Sequence, residues 1–215
     1  MRTLHQADAG ALEAAVAALR DGEVVVVPTD TVYGIAALPD VDGAAHRIYL
    51  AKDRPGHLHL PVLAASLDQV RALGVELTAA ATTLAARWWP GPLTLALGFS
   101  AAQARPRWLA ERDEVAVRIP QNDFLLGLLR VTGPLLVTSA NRHGAPTPLS
   151  AEVAGRQLAP HVHLAIDAGT LDSSPSTLVN VRSPVAEVER EGAIPRFAVT
   201  AALGEVPVRG PGHGA

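Results

Sequence analysis

The 215-residue sequence has no cysteine, which removes disulfides and every thiolate metal site from consideration. It has a single lysine: 17 of its 18 basic residues are arginine, and Lys52 is the exception. Aromatic residues amount to 4%, so a core must be packed mostly from Ala, Val and Leu. No stretch approaches the roughly 18 uninterrupted apolar residues that a membrane-crossing helix requires. The opening "MRTLHQADAGALEAAVAALRDG" reads as an amphipathic helix and not as a signal peptide. A soluble, cytoplasmic protein with no membrane partner is expected. The net charge of −3 argues against coating nucleic acid or anionic membrane through bulk charge, while leaving room for a small basic pocket. Both common phosphate loops, G-x-x-x-x-G-K-[ST] and G-x-G-x-x-G, are missing, as are H-E-x-x-H and the G-x-S-x-G elbow of serine hydrolases.

What remains is a chain with 48% hydrophobic and 18% charged residues, ordinary for a globular protein with a sizeable core. The periodicity predicts a helix over 9–21, a buried strand at "EVVVVP", a polar turn at "TDTVYG" and a short helical segment near "IAAL". A helix over 42–52 delivers Lys52 at its C-terminal end, and "LPVLAA" (60–65) reads as a strand. Helices follow at "SLDQVRALG", capped by Ser66, and at "TAAATTLAARWW", stopped by "PGP". The strands "LTLALGF" and "EVAVRIP" precede the helix "QNDFLLGLLRV", and "GPLLVTSAN" runs from strand into polar loop. A capped helix "SAEVAGRQL" and the strands "VHLAIDAG", "STLVNV" and "AEVER" complete the pattern. Helices interleaved with strands predict an α/β (α+β) domain with a mixed sheet over 1–205, and residues 206–215 have the composition of a disordered tail.

Three polar stretches could carry chemistry, the first of them standing where α/β proteins place ligands. "PTDTVYG" (28–34) follows an apolar strand and offers the hydroxyls of Thr31 and Tyr33; its Thr and Asp side chains could equally satisfy a turn. "KDRP" (52–55) sets Lys52 and Arg54 on one side of a turn, a point charge beside a planar fork, suited to phosphate oxygens. A merely solvated charge would tolerate arginine, which this chain uses everywhere else. "VTSANRHGAP" (137–146) brings Ser139 and Asn141 out at a strand end. Arg118, inside the apolar "AVRIP", needs an anionic partner, either a structural carboxylate or a ligand. The pairs His57/His59 and His161/His163 alternate as strand neighbours would, but without cysteine they make a poor zinc set; no metal site is expected.

Together "PTDTVYGI", "KDRP", "WWPGPLTLAL", "VAVRIP", "TSANRHGAP", "DAG", "STLVNV" and "REGAI" resemble, in order and spacing, the YrdC/Sua5 family of threonylcarbamoyl-AMP synthases. The resemblance is to the short form and implies one YrdC-like domain, with a twisted mixed sheet flanked by helices around a concave basic cleft. It implies a nucleotidyltransferase that makes threonylcarbamoyl-AMP and pyrophosphate from L-threonine, bicarbonate (or CO2) and ATP with Mg2+. The product would feed t6A modification at position 37 of tRNA through a downstream transfer machinery, with RNA as a further partner. On this resemblance Lys52 and Arg54 act on the ATP phosphates; Ser139, Asn141, Thr147 and Arg190 hold the nucleotide. Thr31, Arg118 and Ser176 hold threonine, and Tyr33 shapes the pocket. The chain departs from the family's pattern at Leu58, Leu63 and His143. The alternative is a non-synthase paralogue that binds nucleotide or double-stranded RNA without turnover.

Overall fold

The computed structural model describes residues 1–210. In chain order its elements are β1 (Arg2–His5), α1 (Ala11–Arg20), β2 (Val25–Val27), β3 (Gly34–Ala37), α2 (Ala44–Lys52), β4 (Val62–Leu63), α3 (Leu67–Ala72), α4 (Ala79–Trp88), β5 (Leu93–Gly98), β6 (Glu114–Arg118), α5 (Asp123–Thr132), β7 (Leu135–Ser139), α6 (Ala151–Leu158), β8 (Leu164–Asp167), β9 (Thr177–Asn180), β10 (Ala186–Arg190), α7 (Arg196–Leu203) and β11 (Val208–Arg209). The strands form one mixed sheet in the order β1-β8-β2-β3-β7-β4-β6-β5-β9-β10-β11.

Alternation along the strands builds two apolar layers, one on each face. Val24 and Val26 point into a large cluster with Ile48 of α2, Val70 of α3, Leu84 of α4, Leu158 of α6 and Leu203 of α7. Val25 and Val27 point the other way, to Ala15 and Leu19 of α1 and Leu125, Leu128 and Leu129 of α5. The helices start where the sequence provides caps: the hydroxyls of Ser66, Thr78 and Ser150 and the amide of Asn122 each accept a backbone N–H.

The second layer is the smaller one. Its strand members come from β2, β3, β4, β7 and β8 and include none from β5, β6 or β9. On β5, β6 and β9 the residues Leu95, Val117 and Val179 pack into the first layer. The opposite face, with Thr94, Ala116, Arg118 and Leu178, is the floor of a cavity. This half-covered sheet is what creates the cleft.

Three expectations are corrected. "IAAL" is helix-forming by composition, yet Gly34–Ala37 is a strand paired between β2 and β7. The reason is close approach: a Cβ at Gly34 would meet Val137 Cγ1 at 2.6 Å. Within the tail expected over 206–215, Val208–Arg209 instead adds a parallel strand to β10; residues 211–215 lie outside the described residues. The helix over 9–21 begins at Ala11, and Arg2–His5 before it pairs in parallel with β8. No helix among the described residues is long and apolar enough to cross a membrane.

Candidate active site

The cavity, about 230 Å3, lies over the uncovered face of the sheet. Its floor follows the two-residue period of the strands: Pro61 and Leu63, Ala116 and Arg118, Val137 and Ser139, Ser176 and Leu178. Thr29 and Thr31 enter from the loop after β2, Thr147 from the loop before α6, and Arg190 from the end of β10. Only seven polar or charged residues are classed as buried among those described, and five of them (Thr29, Thr31, Thr94, Arg118 and Ser176) line this cavity. Unless they are hydrogen-bonded, buried polar groups destabilise a fold, so their concentration here marks a built site.

Arg118 is held on three sides. Its Nε donates to the Gly91 carbonyl at 2.9 Å, one terminal nitrogen donates to Thr31 Oγ1 at 2.8 Å, and the other meets Asp30 Oδ1 at 2.6 Å. Asp30 is the anionic partner that the buried guanidinium requires, supplied by the protein itself. Burial pushes the Arg118 pKa down, Asp30 pulls it back up, and the like charge of Arg190 lowers it again. Three N–H groups are committed in this way, and the remaining ones have no hydrogen-bond partner among the described residues.

Arg190 donates from Nε and a terminal nitrogen to the Ser176 carbonyl at 3.1 and 2.9 Å, and from that terminal nitrogen to Ser176 Oγ at 3.2 Å. Ser176 Oγ is in turn 2.8 Å from Thr94 Oγ1. Thr177, next along, has no exposure: its hydroxyl accepts from the amides of Gly192 and Ile194 and donates to the Ile194 carbonyl. That knot fixes the loop following Arg190.

Lys52 is 2% exposed. Its ammonium donates to the carbonyls of Ser139 and Asn141, and its own carbonyl accepts from the His143 amide at 2.7 Å. Burial, and secondarily the nearby Arg54, lower its pKa from the ordinary 10.5 to about 8. No carboxylate among the described residues pairs with it. Asn141 gives its amide to the carbonyls of Arg142 and Ala145, while its Oδ1 is buried without a partner among the described residues.

Of the residues expected from sequence, the cavity wall gathers Thr31, Arg118, Ser139, Thr147, Ser176 and Arg190. Four are not on it. Lys52 and Asn141 sit behind the loop that carries Ser139. Arg54 turns the other way, into a separate shallow groove with His46 and Tyr49, and donates to the carbonyls of Leu58 and His59. The two cations therefore do not share one side of the turn: Asp53, at φ 50°, reverses the chain between them. Tyr33 is fully buried; its hydroxyl donates to the Gly169 carbonyl at 2.6 Å, lies 3.1 Å from Asp167 Oδ1 and accepts from the Ala168 amide. It ties β3 to the 167–169 loop. The four histidines of the two alternating pairs are exposed and lie in loops. No group of three His, Cys, Asp or Glu side chains among the described residues is placed to hold a metal ion.

Sequence reasoning missed Asp30, Thr29 and Thr94. Asp30 and Thr29 lay within a quoted motif without a role. Thr94 had a signal too, as the one polar residue in the run "LTLAL".

The Sua5/YciO/YrdC family model, described as "Telomere recombination", matches residues 17–192. The chain belongs to this family. Within the Sua5/YciO/YrdC family it is 35% identical over 201 residues to the threonylcarbamoyl-AMP synthase of Bacillus subtilis, covering 90% of this chain and 57% of that protein. A putative threonylcarbamoyl-AMP synthase of Mycobacterium tuberculosis is 34% identical, with 88% of each chain covered. The crystal structure of Pyrococcus abyssi Sua5 complexed with L-threonine superposes with a TM-score of 0.82 at 33% identity, over 92% of this chain and 58% of that one. The chain thus spans somewhat over half the length of the Bacillus and Pyrococcus relatives.

Proposed function

We propose that this chain is an L-threonylcarbamoyladenylate synthase. The observation that carries the reading is the convergence of Thr31, Arg118, Ser139, Thr147, Ser176 and Arg190, drawn from five separate stretches of sequence, on one cavity. Threonine would lie at the Thr31–Arg118–Ser176 end, with its carboxylate on the uncommitted N–H groups of Arg118. The nucleotide would lie toward Ser139, Thr147 and Arg190, with Asn141 behind.

Lys52 supports the phosphate assignment on physical grounds. A buried ammonium compensated only by carbonyl dipoles, and repelled by Arg54, is stabilised by an arriving anion. Arg54, which faces the separate groove, would reach the outer phosphates only with movement of its loop. Mg2+ would enter with ATP as part of the substrate, bound by phosphate oxygens and water, since these residues build no carboxylate cage.

The chemistry needs no protein nucleophile. Threonine's amine and CO2, drawn from bicarbonate, combine to a carbamate with loss of a proton. A carbamate oxygen then attacks the α-phosphorus, and pyrophosphate leaves. Positioning and charge neutralisation are the contributions of the site. The product is an activated mixed anhydride, so a transfer step must follow, which the family resemblance assigns to tRNA t6A formation.

The test is pyrophosphate release on mixing the protein with ATP, Mg2+, bicarbonate and L-threonine. Release that requires threonine is expected; none, or release indifferent to threonine, overturns the reading.

A further inference from the structure

The hydroxyls of Thr94 and Ser176 lie 2.8 Å apart, both nearly sealed from solvent at 5% and 7% exposure, on the floor of the cavity. Two hydroxyls hold two protons. One is used in the bond between the oxygens, which leaves one. Arg190 biases where it goes, because a guanidinium only donates, and it donates to Ser176 Oγ at 3.2 Å. An oxygen that accepts from a cation is polarised into a better donor, which favours, of the two directions the 2.8 Å contact allows, the one in which Ser176 donates to Thr94 Oγ1. The Thr94 proton is then left over, and no protein acceptor among the described residues takes it.

We propose that Arg190, Ser176 and Thr94 form one donor chain, and that Thr94 Oγ1–H is its delivering end, binding an acceptor oxygen of the amino-acid substrate. The setting matches such a ligand. Thr94 follows Leu93 on β5, beside β9, one register step from the pair Leu95 and Val117. Arg118, next to Val117, therefore lies beside it on the same floor. A carboxylate or carbamate oxygen between them would receive one charged donor and one donor polarised by a charge. Threonine at this position serves better than valine of the same shape, which would leave Ser176 without an acceptor for its proton. This assignment rests on the synthase reading and adds a substrate contact to it.

The experiment compares wild type with Thr94→Val, Thr94→Ser and Ser176→Ala, using calorimetric affinity for L-threonine and for ATP with Mg2+, alongside melting temperature. Thr94→Val should weaken L-threonine binding roughly ten- to a hundredfold, the span of one hydrogen bond to a charged group. ATP affinity should change less than twofold, and Thr94→Ser should recover most of the loss. Thr94→Val on a Ser176→Ala background should cost less than on wild type, because the chain is already cut. Unchanged threonine affinity in Thr94→Val overturns the assignment. So does a parallel loss of threonine affinity, ATP affinity and melting temperature, which marks a packing role. Wild-type protein that binds no L-threonine overturns the substrate reading itself, and the two failures are thereby distinct.

Discussion

Asp30 Oδ1 lies 2.6 Å from a terminal nitrogen of Arg118, with the two side chains 13% and 6% exposed. This pair means the site is built around a compensated cation and not around an empty one. Taking away the carboxylate leaves a buried guanidinium with only Thr31 and a backbone carbonyl. Asp30→Ala should therefore cost about 3–5 kcal/mol of stability, read by denaturant unfolding. Asp30→Asn, which keeps an acceptor, should cost less. If Asp30→Ala unfolds at the wild-type midpoint, the pair is not structural.

Lys52→Arg is conservative only on paper. The ammonium is enclosed and aims at two backbone carbonyls, and a longer planar fork cannot occupy the same space without pushing the 139–143 loop. Pyrophosphate release should fall on the order of 10²–10³-fold, the range for losing one preorganised electrostatic contact. Turnover at the wild-type rate would show that the single lysine is incidental.

The same residue predicts a pH dependence. Unfolded, Lys52 stays charged up to its ordinary 10.5; folded, only up to about 8, chiefly because of burial. Between those values the unfolded chain holds the extra proton, so raising the pH favours the fold. The stabilisation is complete above 10.5 and lost as pH falls through about 8. Unfolding free energies of wild type and Lys52→Met should converge or cross in wild type's favour over that window. Parallel curves would place the ammonium in contact with water.

Tyr33→Phe should destabilise by about 1–3 kcal/mol, because the Ala168 amide and Gly169 carbonyl would both lose the hydroxyl that joins them to β3. Burial holds that phenol protonated, with its pKa raised to about 12, so the loss should appear at neutral pH. Amide exchange at Ala168, faster in the variant, is the direct measurement.

Gly192 has no room for a side chain: an added Cβ would overlap the Pro175 carbonyl oxygen and lie 2.8 Å from the Ser176 carbonyl. Gly192→Ala must displace backbone on one side or the other, at about 1–3 kcal/mol. Because Ser176 is at the point of collision, threonine affinity should suffer more than ATP affinity.

Much of this architecture is legible in the sequence where local and tertiary demands agree. The strands around Val26, Val117 and Val137 are apolar and β-branched, and the helix starts at Ser66 and Ser150 carry caps that act as caps. The misreadings fall where they disagree. Gly34–Ala37 has helical composition but must lie flat against Val137. Edge strands such as Arg2–His5 and Val208–Arg209 are mostly exposed and show no apolar alternation. In the site, the motifs hold six residues that line the cavity but do not show which way a side chain faces: "KDRP" reads as two cations together until Asp53 turns Arg54 away. Thr94 was hidden because a threonine in an apolar strand is β-favouring whether or not its hydroxyl has work to do.

The partners at this site are far apart along the chain: Thr31 meets Arg118 87 residues later, and Thr94 meets Ser176 82 residues later. A ribosome-bound chain that ended before β9 would have both Thr94 and the open side of Arg118 on a floor without its far wall. Competence should arrive with the last strands, so a truncation just before residue 176 would remove both affinities at once, not one by one.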